Sequence, residues 1–211
     1  MLIPKVFHQI WLGTNPIPDE FLQYRETWRT LHPGWEIKVW TDENVPSLLN
    51  QGLFDASKGT AHIVKCVDIL KLDLIVQFGG IFIDCDFECF KCIEPLIENM
   101  DAFSAGETED IFGDAIMGCV PGHAGFTKFL QEMPGWVARH THTGINVQTG
   151  PFFYTNVRKE HPELQTIKVF GPELFYPYLY YEKHRKHEHF PNAYAAHHWA
   201  GSWTNWKPQK S

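Results

Sequence analysis

Nowhere in the 211 residues do 18 apolar residues run together, so no bilayer-spanning helix is expected. Basic residues are scarce. Lys and Arg total 18 against 25 Asp and Glu, for a formal net charge of -7, and no basic run exceeds the mixed stretch from Lys183 to Lys186. A nucleic-acid backbone would find no cationic stripe here, which argues against that partner. Cysteines number five, an odd count with Cys85, Cys89 and Cys92 packed together, unlike a secreted disulfide framework. The opening MLIPKVFHQIW interrupts any signal-peptide core with Pro4, Lys5, His8 and Gln9, and N-x-S/T does not occur, so a cytoplasmic location is expected. Also missing are G-x-G-x-x-G and G-x4-G-K-[ST], the cradles of dinucleotide binding and P-loop phosphoryl transfer.

What is present suits a large core: 44% of the chain is hydrophobic and 15% of the chain is aromatic, as 16 Phe, 8 Trp and 7 Tyr. Residues 6–12 (VFHQIWL) read as a buried strand ending in the turn-forming GTNPIPDE, and 21–31 have helical spacing. Residues 36–40 (EIKVW) alternate as a strand and end at Thr41-Asp42, a helix-start signal. Residues 61–78 predict a long, largely buried helix stopped by Gly79-Gly80, followed at once by a strand run, IFIDCDF. Further on, 114–120 read as a strand, 125–133 as a helix, 140–150 as a loop, and the tail from Tyr176 is rich in aromatics and histidine. Strands alternating with helices predict a single α/β domain on a mainly parallel sheet.

The chemistry concentrates in DILKLDLIVQFGGIFIDCDF, which spans residues 68–87. If the strand continues, Asp84 and Asp86 share a face and Cys85 takes the other. Paired carboxylates at a strand end suit a hard cation such as Mn2+ or Mg2+ bridging to a diphosphate. D-x-D occurs by chance in acidic proteins. Here it follows a Gly-Gly that permits close backbone approach and an apolar helix with charged residues inside it. On that helix Lys65, Asp68 and Lys71 are spaced at about one turn, facing either solvent or a polar site.

Two other readings compete. Cys85-x3-Cys89-x2-Cys92 with Phe90 has the spacing by which radical S-adenosylmethionine enzymes hold a [4Fe-4S] cluster, although Cys85 would sit mid-strand and few residues follow for a barrel. A non-catalytic nucleotide- or glycan-binding module is the other. In AAHHWAGSW, adjacent His197 and His198 cannot both face one site if extended, so one of them is a candidate metal ligand, with Ser202 and Trp203 as donors to phosphate oxygens. His184, His187 and His189, interleaved with charges, read as a solvated loop. Trp11, at the end of the first strand, could stack on a base.

In order along the chain, IPKVFHQIW, the W-x5-GWEIKVWTDEN block, DILK-x7-GGIFIDCD, GDAIMG, TGP and HHWAGSW together resemble glycosyltransferase family 32, which includes yeast initiating mannosyltransferases and bacterial capsule transferases. The Asp-x-x-basic element before D-x-D is also similar to the clostridial glucosylating toxins. The resemblance implies a GT-A fold over residues 1–211, one domain of a longer protein, and a viral or bacterial member. It further implies a nucleoside diphosphate sugar donor (UDP-glucose first), a glycan acceptor, Mn2+ with Mg2+ as the alternative, and retention of anomeric configuration. Asp86 would bind the metal directly, Asp84 through water or the donor, and His198 would complete the shell. Asp68 and Lys71 would hold the donor sugar. Ser202 and Trp203 would steady the diphosphate, and Gln9, Ile10 and Trp11, with Thr41, would serve the nucleotide. Lys71 stands where the family usually has Arg and cannot form the same bidentate fork. Asp114 replaces a usual Asn, an extra carboxylate for sugar or acceptor contact. Catalysis by same-face displacement and by a covalent intermediate on Asp68 or Asp114 both stay open.

Overall fold

A computed structural model describes residues 2–58 and 63–201. Along the chain run β1 (Val6–Ile10), α1 (Asp19–Leu31), β2 (Glu36–Trp40), α2 (Gln51–Ser57), α3 (Ile63–Phe78), β3 (Gly80–Ile83), β4 (Phe87–Cys89) and α4 (Glu94–Ile97). Then come β5 (Ala102–Gly106), β6 (Phe112–Cys119), α5 (Ala124–Arg139), α6 (Ile145–Gln148), α7 (Pro151–Glu160), β7 (Lys168–Phe170), α8 (Pro172–Phe175) and β8 (Ala195–His197). Six strands form one sheet in the order β2-β1-β3-β6-β5-β7. Strand β1 is parallel to both neighbours and β5 to β7, while β6 runs against β3 and β5. The mainly parallel α/β sheet expected from the alternation is thus present, with β6 as the reversed strand. Strands β4 and β8 pair separately as a short antiparallel ribbon.

Helix α1 opens on Asp19 and Glu20, whose charges favour a helix N-terminus, and buries Phe21, Tyr24 and Trp28 on one face. Helix α3 is buried around almost its whole circumference, as its composition predicts. Gly79 and Gly80 stop it in left-handed conformation, φ +67° and +93°, and a Cβ on Gly80 would lie 2.6 Å from Val6 Cγ1. Only glycine lets the chain reverse that tightly into β3. Alternation along β3 then feeds two cores. Phe82 packs with Leu72, Phe126 and Phe153 on the α3 side, and Ile81 and Ile83 pack with Phe7, Trp28 and Phe103 on the other. Buried His8 ties the layers: Trp40 Nε1 donates to its Nδ1 at 3.0 Å, and its Nε2–H reaches the Gly79 carbonyl at 2.8 Å.

Three local expectations are corrected. Thr41-Asp42 starts no helix. The Thr41 N–H donates to Asn44 Oδ1 at 2.7 Å, closing a turn, and the next helix begins at Gln51. The strand through IFIDCDF breaks after Ile83, where the Phe87 N–H reaches the Asp84 carbonyl at 3.2 Å and makes residues 84–87 a turn. The loop of 140–150 contains α6.

Between β5 and β6 the register jumps from Ser104↔Met117 to Ala105↔Gly113, leaving Asp114, Ala115 and Ile116 without β5 partners. The buried Ser104 hydroxyl donates to the Gly113 carbonyl at 2.6 Å inside this bulge. Bulges re-aim side chains. This one frees Asp114 to turn towards α3.

Candidate active site

A cavity of about 610 Å³ opens where β1 and β3 end and where β6 bulges, lined by Trp11, Asp68, Lys71, Asp84, Asp86 and Asp114 among others. Carboxyl ends of parallel strands are where open α/β sheets bind ligands. Its floor is a clamp. Lys71 Nζ lies 2.8 Å from Asp68 Oδ1 and 2.6 Å from Asp114 Oδ2, and these side chains are 3%, 5% and 9% exposed. Thr149 Oγ1 donates to Asp68 Oδ2 at 2.7 Å, so both Asp68 oxygens are used. Burial works against the Lys71 charge, but Asp114 and Asp68 outweigh it and hold the ammonium well above its usual range. Burial raises Asp68 even though Lys71 pulls the other way. The charged stripe of α3 therefore faces a polar interior rather than solvent, with Lys65 one turn earlier bonded to Gln148 Oε1 at 2.8 Å.

Nearer the surface sits a second group. Asp84, Asp86 and His197 offer ligand atoms within 4.8 Å of one another, the one group of three metal-ligating side chains this close among the described residues. His197 Nε2 is 3.2 Å from Asp86 Oδ1 and 3.6 Å from Asp84 Oδ2. The turn after β3 aims both carboxylates at the cavity although the strand has ended. Pairing of β4 with β8, Phe87 opposite His197, brings the imidazole to them. Burial lifts Asp84 to about 7. Burial would lift Asp86 too, but the His197 charge and hydrogen bond, with the Ala200 N–H at 2.7 Å, bring it to about 2. His197, which burial alone would lower, is raised by Asp86 to about 9.

His198, the expected metal ligand, does not reach the carboxylates. Its Nε2 meets Glu88 Oε2 at 2.9 Å and its Nδ1 meets the Tyr178 hydroxyl at 2.5 Å. The tail supplies His197 instead. Trp11 and Ile10 line the cavity, and Trp11 is fixed by its Nε1–H to the Asn15 carbonyl at 2.7 Å and by Phe21 edge-on. Gln9 and Thr41 do not. Gln9 is fully buried and accepts from Arg25 Nε, while Thr41 serves its turn. Ser202 and Trp203 lie outside the described residues. The cysteines do not converge: Cys85 Sγ points to the Ile10 carbonyl and Cys89 Sγ to that of Lys91, and both thiols are pushed up by burial, Cys85 to about 12. Thiolates held that way cannot wrap one cluster, so the radical-enzyme reading fails.

Sequence reasoning missed Thr149, Glu107 and Lys183, all at or beside the cavity. Thr149 lies in the TGP block, where nothing local assigns its hydroxyl a role. Lys183 hides in the charge-rich run taken as solvated. Glu107 carries no local signal, and burial, then the Asp114 charge, lifts its carboxyl to about 7.

Residues 18–103, which include Asp68, Lys71, Asp84 and Asp86, match the family model described as glycosyltransferase sugar-binding region containing DXD motif. Over this stretch the chain is similar to that family. The chain is 28% identical over 165 residues to mannosyl phosphorylinositol ceramide synthase CSH1 of Saccharomyces cerevisiae, covering 76% of this chain and 43% of the relative. The chain spans about half the length of the curated relatives it matches, and these are yeast proteins where the sequence points to a viral or bacterial member. Among solved structures, the PaToxG glycosyltransferase superposes with a TM-score of 0.64 at 16% identity, over 78% of this chain and 72% of that one. The UDP-bound glycosyltransferase domain of the YGT toxin gives 0.56 at 9%, over 81% and 79%. The chain thus shares the GT-A fold of these structures. No helix among the described residues is long and apolar enough to cross a membrane.

Proposed function

We propose that this chain is the catalytic domain of a metal-dependent, retaining glycosyltransferase that moves a hexose from a nucleoside diphosphate sugar to a glycan hydroxyl. One observation carries the reading: the Asp84, Asp86 and His197 group faces the same cavity as the Asp68–Lys71–Asp114 clamp. Two carboxylates and an imidazole suit Mn2+, with Mg2+ as the harder alternative. A divalent ion held by these three would offset negative charge on the departing diphosphate. Trp11 and Ile10 take the base, Ser202 and Trp203 the diphosphate, and Asp68 with Asp114 the sugar.

Both clamp carboxylates are tied to Lys71, which makes them poor nucleophiles. That favours same-face displacement: the acceptor oxygen bonds to the anomeric carbon as the carbon–phosphate-oxygen bond breaks, and the acceptor proton passes to the leaving diphosphate. The family of the named relatives favours a mannosyl donor, and their inositol phosphoceramide is the first acceptor to assay. The Asp-x-x-basic likeness to glucosylating toxins favours UDP-glucose as the second donor reading. Five free cysteines fit a reducing compartment such as the cytoplasm.

A thermal-shift panel of GDP-mannose and UDP-glucose with and without Mn2+ tests this, since ligand binding to the folded state raises its melting temperature. Stabilisation only with Mn2+, and release of free nucleoside diphosphate on turnover, are the expected results. Binding without release would leave a binding module instead. No shift with any donor would sink the reading.

A further inference from the structure

Of the carboxylates that line the cavity, those of the clamp and the D-x-D turn have protein partners. Asp68 uses both oxygens on Lys71 and Thr149, Asp114 uses Oδ2 on Lys71, Asp86 meets His197 and the Ala200 N–H, and Asp84 faces His197. Glu107 is different. It leaves the end of β5 and lines the cavity on the same wall as Asp114. Among the described residues no hydrogen-bond donor or ion-pair partner meets its carboxylate, on which His197 and Lys71 act only as charges at longer range, and its backbone N–H is spent on the Ile111 carbonyl. Nor does it belong to the group of three close metal-ligating side chains. This half-buried acid beside Asp114 and Asp84 opens into the cavity, where a ligand can supply the donors that the protein does not. Neutral hydroxyls can do so with two hydrogen bonds, one to each oxygen.

We infer that Glu107 binds ring hydroxyls of a sugar and, with the free Asp114 Oδ1, sets which sugar the cavity accepts. This inference rests on the proposed transferase reading. A site built to bond a hydroxyl strongly rejects the analogue that lacks it, so the role is one of specificity. The hydroxyls belong either to the donor sugar or to the acceptor, and kinetics separate the two.

The test compares wild type, Glu107→Ala and Glu107→Gln, with melting temperature as the folding control. Calorimetry with GDP and UDP in Mn2+ is expected to give affinities unchanged by either substitution. Acceptor-free hydrolysis of GDP-mannose and UDP-glucose is expected to lose about tenfold to a hundredfold in kcat/KM in Glu107→Ala, and less in Glu107→Gln. A monodeoxy donor poorly used by wild type should lose nothing further in Glu107→Ala. If hydrolysis is unaffected and the acceptor KM rises instead, the hydroxyls are the acceptor's and the inference stands. Nucleotide binding with unchanged donor and acceptor parameters overturns the Glu107 inference alone, as does a loss that extends equally to GDP and UDP affinity. Failure of the wild type to bind either nucleotide overturns the transferase reading and this inference with it.

Discussion

Two clusters of acid share one cavity, and they are built on opposite plans. In the inner one, Lys71 sits within 2.8 Å of Asp68 and Asp114, so the counter-charge is part of the chain and never leaves. In the outer one, the nearest counter-charge to Asp84 and Asp86 is a histidine 3.2 to 3.6 Å away, reversible in charge and displaceable by an ion. On the proposed reading, the inner cluster is scaffold for a sugar and the outer one a socket for an ion. The -7 net charge sharpens the contrast, since on that reading a diphosphate approaching the outer carboxylates would need a cation between them.

Substitutions should separate the two plans. The largest effect is expected from Lys71→Met, which strands two buried carboxylates and should cost about 3–5 kcal/mol of folding stability, read by denaturant unfolding. An unchanged unfolding midpoint would mean the clamp is not a charge-balancing device. Asp86→Ala should do the reverse. Its fold should survive while nucleotide release falls about a thousandfold, the several kcal/mol expected of a lost Lewis acid, and EDTA should match it in wild type. Full activity in EDTA would erase the distinction between the clusters. Next, His197→Ala should weaken Mn2+ binding by about tenfold to a hundredfold by calorimetry, whereas His198→Ala should leave it alone. The opposite ranking would restore the ligand expected from the sequence.

The smallest effect lies in the scaffold away from both clusters. Burial lowers the His8 pKa below 6.5, and its Nδ1 must stay unprotonated to accept from Trp40. The unfolded chain therefore takes up a proton near pH 6.5 that the folded one refuses. Stability from this group is fully present above that pH and is lost as pH falls below it, by at most about 1.4 kcal/mol per pH unit. Melting curves at pH 7 and pH 5.5, with and without His8→Gln, would show whether the slope belongs to this ring.

Much of this was legible locally. Apolar periodicity marks β1, α1, β2 and α3 because each buries one stripe or all of its surface, and D-x-D after Gly-Gly announces the socket. What was not legible depends on pairing across the chain. Whether His197 or His198 faces the carboxylates is a question of parity in the ribbon, decided by Phe87 pairing with His197. Asp114 reaches Lys71 only because β6 bulges, and no residue in GDAIMG spells a bulge. Thr41-Asp42 reads identically before a helix and inside a turn, and the bond from Thr41 to Asn44 chose the turn. Three cysteines can have the right spacing and point in different directions.

The ribbon itself has a kinetic meaning. Three residue pairs join β4 to β8, and a ribbon that short is marginal without help from neighbouring contacts such as the Trp199 Nε1–H to the Tyr178 carbonyl at 2.9 Å. The same three pairs hold His197 against Asp84 and Asp86, so any local opening of the ribbon would take the imidazole away from them. An ion held by those three side chains would therefore be expected to slow amide exchange in β8 more than in the six-stranded sheet.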